Sequence, residues 1–213
     1  MVRIAENNDW VIITLLLCGF VYILMFIFLL RNISLKTFMM QEYIDSSNNF
    51  LTWVITSVVF CTVSSVLISQ YIPIVPKKAA DLPLFGLELN KFGYTFICIS
   101  IFFLLKTSLA YLFYSGIDNI RKWSRYYFTA TKFYLGGSIL VGILCVVHYY
   151  FDIDRQKALR IYFVLFAFLF VFKIFFYFLH KNQILPEKWY YKILYICTLQ
   201  IVPLLALWRL LFF

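Results

Sequence analysis

Charge is scarce in this chain of 213 residues. Asp, Glu, Lys and Arg make up 14% of it, far below the quarter or so with which a soluble domain covers its surface. Acidic residues are the scarcer sign, ten against nineteen basic ones, and all ten fall outside the long apolar runs. A proton or cation pathway through a membrane normally shows carboxylates at depth, so their absence argues against a pump or a cation-coupled transporter. The five cysteines stand singly inside apolar runs with no CxxC pair, which leaves neither a zinc spacing nor a disulfide scaffold. His148 and His180 lie at opposite faces, so no metal or haem site is expected. HExxH, GxSxG, a P-loop and paired aspartates are all missing. The chain therefore reads as non-enzymatic and without a cofactor.

What is present is apolar. Hydrophobic residues make up 63% of the chain, and the mean hydropathy is +0.86. They gather in six blocks, at residues 10–30, 50–72, 92–116, 133–151, 159–179 and 190–213. Each is close to the roughly 20 residues that cross a bilayer core of about 30 Å. The expected fold is an all-α polytopic membrane helix bundle of about six transmembrane helices, one domain over residues 1–213. The first block is too long for a signal-peptide core and lacks a small-residue cleavage site, so it is expected to be retained. The run Asp45-Ser-Ser-Asn-Asn49 suits a helix start, as do Asp152 and Asp154. Pro203 lies mid-span and is expected to kink the last helix. The longest loop, residues 73–91, sets three prolines among leucines and is expected to tuck against the bundle or the interface.

The net charge of +9 has a membrane explanation, since Lys and Arg at helix ends anchor to lipid phosphates. Nucleic acid is therefore not an expected partner. Eight basic residues fall on the face of the termini and nine on the other, so the positive-inside rule does not decide orientation. Residues 117–128 lean one way. At about 100° per residue, Ile117, Ile120, Trp123, Tyr127 and Phe128 fall on one side and Arg121, Lys122 and Arg125 on another. That pattern predicts a short interfacial helix held by anionic phospholipid. It places this loop in the cytoplasm and the termini in the periplasm.

Two basic residues do not follow the rule. Lys106 and Lys173 lie inside apolar blocks, each 14 residues from its block's start, in helices expected to run the same way. An isolated charge at that depth costs about 2.5 kcal/mol or more, so it is a functional candidate unless the stem carries it to the interface. Snorkelling suits Lys173 better than Lys106. With no intramembrane acid in the chain, Lys106 is left to backbone carbonyls and Tyr hydroxyls, to an anion, or to an acid from another subunit. Small residues recur at Ser57, Cys61, Ser65 and Ser69, and again at Ser138 and Gly142. Such stripes let helices approach, within the bundle or against another membrane protein. His148 and Asp152 have helical spacing and read as an interfacial polar pair.

Further stretches carry a resemblance: Ser100-Ile-Phe-Phe-Leu-Leu-Lys106, Leu112-Phe-Tyr, Tyr126-Tyr-Phe, Tyr134-Leu-Gly-Gly and the closing run from Leu194 to Leu211. Through them the chain resembles an uncharacterised family of inner-membrane proteins from Bacteroidota, a domain of unknown function. The resemblance implies a Gram-negative cytoplasmic membrane and no assigned activity. It also implies an acidic residue where Gln200 stands here, so a charge is missing from the last span. Together these readings predict a subunit of a cell-envelope complex, serving protein export or secretion, with integral membrane proteins as partners. The alternative is a transporter or lipid-handling protein whose lysines meet an anionic head group.

Overall fold

Hydrocarbon offers the backbone no hydrogen bonds, so a chain that crosses it must satisfy every N–H and C=O internally. The computed structural model is accordingly helical. It describes residues 9–31, 33–43, 46, 48–72, 90–117, 120–151, 153–179, 186 and 188–212, and among these there is no strand. Helix α1 (Asp9–Leu24) runs on as a π segment, Met25–Leu29. A short α2 (Leu35–Met40) precedes α3 (Asn49–Ser69). Then come α4 (Lys91–Gly116), α5 (Ile120–Tyr150) and α6 (Arg155–Leu179). Helix α7 (Trp189–Leu194) passes through a π segment, Tyr195–Ile201, into α8 (Val202–Phe212). Six stretches are long and apolar enough to cross a bilayer: 9–29, 49–69, 91–116, 122–150, 155–178 and 189–211. This is a multi-pass membrane protein.

One expectation is corrected. Residues 117–128 do not form a separate interfacial helix, because from Ile120 onward they are the first turns of α5. Its 31 residues extend about 46 Å, longer than the hydrocarbon. Most of the apolar side of these turns packs on protein, though Ile120 is exposed. Tyr126 lies 5.6 Å from the Tyr114 ring and Phe128 lies 6.2 Å from Phe38, and both are buried. The short helix is instead α2. The Ser34 hydroxyl caps its start, accepting from Thr37 N–H at 3.2 Å. Lys132 reaches from α5 to its end, donating to Met39 O at 3.0 Å and Gln41 O at 2.5 Å. A cation among the orphan carbonyls at a helix C-terminus satisfies them and favours the dipole.

Asp154 caps α6 as expected, accepting from Gln156 N–H at 3.0 Å. At α3 the N-cap is Asn48, in the left-handed region at φ 55°, and its amide donates to Leu29 O instead. Asp45, Asp152 and residues 73–89 lie outside the described residues.

The core is organised around α3, half of whose span is buried, against 11% for α6. Its hydroxyls bond back to their own helix, Thr56 to Thr52 O at 2.9 Å and Ser65 to Cys61 O at 2.6 Å. They therefore pack as small residues, whereas the buried Ser57 hydroxyl on the same helix has no partner. Helix α5 lies closest to it at Gly137, where an added Cβ would stand 2.9 Å from Phe60 Cε2. That ring is already stacked on Tyr134 at 5.5 Å and set edge-on to Phe103 at 5.5 Å. Nothing lies within 4 Å of a Cβ at the adjacent Gly136. Gly137→Leu should therefore lower the unfolding free energy in detergent by about 1–3 kcal/mol through overpacking. Gly136→Ala should leave it unchanged or raise it by up to about 1 kcal/mol. Thermal unfolding of the two variants checks the α3–α5 contact.

Candidate functional site

Pro203 has no N–H, so a regular helix would leave the carbonyl four residues before it without a donor. The last span answers by widening. Over Tyr195–Ile201 it adopts π geometry, with Val202 N–H bonding Cys197 O, a local rearrangement often found at kinks and at functional sites. In that geometry residues five apart share a face. Tyr195 and Gln200 both turn inward, and Gln200 Nε2 donates to Tyr195 Oη at 2.6 Å. Both side chains are buried, and Tyr126 on α5 stands within hydrogen-bonding reach of both.

Lys173 arrives from the other side. Its ammonium lies over three rings, 5.9 Å from Phe133, 5.5 Å from Tyr134 and 5.6 Å from Tyr177. With Tyr177, Tyr195 and Gln200 it lines a cleft that has room for about one water molecule. Lys106, on α4, is buried, its Nζ 5.8 Å from the Phe102 ring, and the Lys173 charge acts on it directly. The bundle therefore brings together the two lysines that stood apart in sequence.

Their contacts are aromatic only. Among the described residues neither ammonium has a hydrogen bond or an ion pair. Cation–π contact contributes about 2 kcal/mol at a desolvated site, which leaves a cation in hydrocarbon short of the hydration it has lost. Two neighbours are short as well: Tyr177 Oη and Gln200 Oε1 are buried with no partner. The cleft therefore presents two donors, the Lys173 ammonium and the Tyr177 O–H, beside one free acceptor, Gln200 Oε1. The ammonium and the phenol together suit an anion.

The other candidate residues are elsewhere. Ser138 is buried, with its hydroxyl 2.6 Å from Tyr22 Oη and bonded to Leu135 O at 2.7 Å, so it joins α5 to α1. A Cβ at Gly142 would touch Leu15 and Val63 at 4.0 Å, again inside the bundle. Lys122 and Arg125 are half-buried in the first turns of α5, and the side chain of Arg121 lies outside the described residues. His148 meets Tyr71, with Nδ1 3.2 Å from the phenol oxygen. Sequence reasoning missed Tyr126, Tyr177, Tyr195 and Gln200 as site residues. Gln200 was the available signal, an amide three residues before a mid-span proline.

A family model described as a domain of unknown function, DUF4271, matches residues 10–211. The chain belongs to that family. No curated protein and no solved structure matches it. The DUF4271 unit takes in all six spans and both lysines, so the donor-lined cleft is internal to the domain. In the DUF4271 chain, Tyr195→Phe removes the bond to a buried amide and should lower the unfolding free energy by about 1–3 kcal/mol. Tyr190→Phe, at an exposed ring, should not. Equal unfolding midpoints for the two variants would contradict the Gln200 bond.

Proposed function

We propose that this DUF4271 protein is a non-enzymatic integral subunit of a cell-envelope complex in a bacterial cytoplasmic membrane, held to other integral membrane proteins within the bilayer. One observation carries the reading: two lysines sit within apolar spans, and no carboxylate of this chain lies within any of them. A charge so placed is retained where something outside the bundle completes its contacts. The outer face of α6 supports the same reading. Phe168, Phe172 and Phe175 are all more than half exposed on it and lie within about 60° of one another around the helix, an aromatic surface against lipid or another helix. The resemblance to a Bacteroidota family adds protein export or secretion as the process served. The basic cluster Arg121, Lys122 and Arg125 beside the α4–α5 connection supports a cytoplasmic position for it, attracted to anionic lipid, with the termini in the periplasm.

A second reading has an observation of its own. Lys173 is only half-buried, at the seam between α6 and the last span, where an anionic phospholipid head group can approach it. The protein would then transport or otherwise handle lipid. Purification from native membranes in mild detergent, followed by mass spectrometry, separates the two. The subunit reading expects integral membrane proteins at near-integer stoichiometry. Anionic phospholipid alone, without a protein partner, would favour lipid handling and contradict the complex.

A further inference from the structure

We propose that the cleft beside Lys173 receives a single carboxylate, an Asp or Glu side chain on a transmembrane helix of a different protein, which docks along α6 and the last span. The inference rests on the subunit reading and names the chemistry of the contact.

Size selects among anions. A cleft with room for about one water takes a carboxylate oxygen, whereas a phosphodiester with its glycerol and four oxygens is far larger. Two donors face such a group: Lys173 Nζ and the unpartnered Tyr177 hydroxyl. Their fixed positions on α6 make a charge-assisted, two-donor contact of the kind a carboxylate accepts.

Charge complementarity also excludes a second copy of this chain. Every one of its ten acidic residues lies outside the apolar cores, so no copy can deliver a carboxylate to that depth. The partner must be a different protein. The depth of its acid follows from helix rise. Lys173 stands six residues before the end of α6, Lys106 ten before the end of α4, and Gln200 eleven after the start of α7. All three are measured from the same membrane face, and at 1.5 Å per residue they lie about 9–17 Å inside it. The partner's Asp or Glu is expected about 6–11 residues into its own span from that face.

Entry is through α6. No other helix backbone packs closely along it; aromatic side chains hold it off, Phe133 meeting Phe176 at 5.3 Å and Tyr177 at 5.8 Å. A side chain from a neighbouring span can therefore reach Lys173 from the lipid side without opening the α3–α5 core.

The test uses native membranes bearing the full chain and dicyclohexylcarbodiimide, an apolar reagent that enters bilayers. It activates a carboxyl group, the neighbouring amine displaces it to form an amide, and the reagent leaves as its urea, having taken up the elements of water. The expected product joins Lys173 or Lys106 to an Asp or Glu within a span of another protein. Gln200→Glu places a carboxylate of the chain's own at the cleft. It should reduce both that cross-link and the co-purified partner at least tenfold, while the variant stays monodisperse on size exclusion. Lys173→Leu should lose the partner similarly, as a second variant that cannot form the internal pair. Retention of the partner at full stoichiometry in both variants would overturn the site and leave the subunit reading standing. An amide to phosphatidylserine on Lys173 in place of a peptide would overturn the protein carboxylate. Failure of any membrane protein to co-purify with the wild-type chain would overturn the subunit reading itself.

Discussion

A hydrocarbon layer withholds hydrogen bonds, so each polar group placed in it must be satisfied by the protein or be costly. The bundle answers this constraint almost everywhere by short-range means. Hydroxyls on α3 bond to carbonyls of the preceding turn. Tyrosines on other helices reach backbone oxygens across interfaces, Tyr149 to Val66 O at 3.0 Å and Tyr94 to Leu210 O at 3.1 Å. These bonds tie α5 to α3 and α4 to α8 with groups that would otherwise be liabilities. The buried Ser57 and Tyr162 hydroxyls are single exceptions, and the cleft around Lys173 departs from the pattern as a group. There an ammonium, a phenol and one end of an amide are all left over, and they are left over together.

The same constraint divides the packing into two kinds. Between α3 and α5 small residues bring the backbones close, and Gly137 admits the Phe60 ring. Between α6 and the remainder, large aromatics fill the gap. With no hydrophobic drive between helices in lipid, contact area and close approach decide which pairs are firm. Helix α6 is thus the most weakly held span. It carries Lys173 inward and the exposed Phe168, Phe172 and Phe175 outward. A helix held this way is the one a neighbour can most readily share, and its charge gives the neighbour a reason to bind there.

The number and position of the spans were legible from the apolar blocks alone, because bilayer thickness fixes a length and charge marks its ends. The depth of Lys106 and Lys173 was legible for the same reason. Their convergence was not, since periodicity places a residue on a helix but does not say which helix that face meets. Residues 117–128 show how the reading went astray. Their amphipathic pattern is real, but the apolar side found Tyr114 and Phe38 rather than lipid, and α5 simply continued. The kink at Pro203 could be anticipated. That it takes the form of a π segment, which aligns Gln200 with Tyr195, could not, because the proline removes a bond without dictating how the chain absorbs the loss. The serine and glycine of the second small-residue stripe could face a partner or the bundle equally well from spacing; the Tyr22 hydroxyl on Ser138 settles them inward.

The central claim is that the two lysines are uncompensated within this chain. The most direct measurement is the equilibrium unfolding free energy of the isolated protein, stripped of partners, for Lys106→Leu with Lys173→Leu against wild type. If the charges are uncompensated, the double variant should be more stable by about 2 kcal/mol or more, since each apolar replacement removes an insertion cost of that order. A double variant less stable than wild type would mean that the bundle satisfies its own lysines, and the account would fail at its foundation.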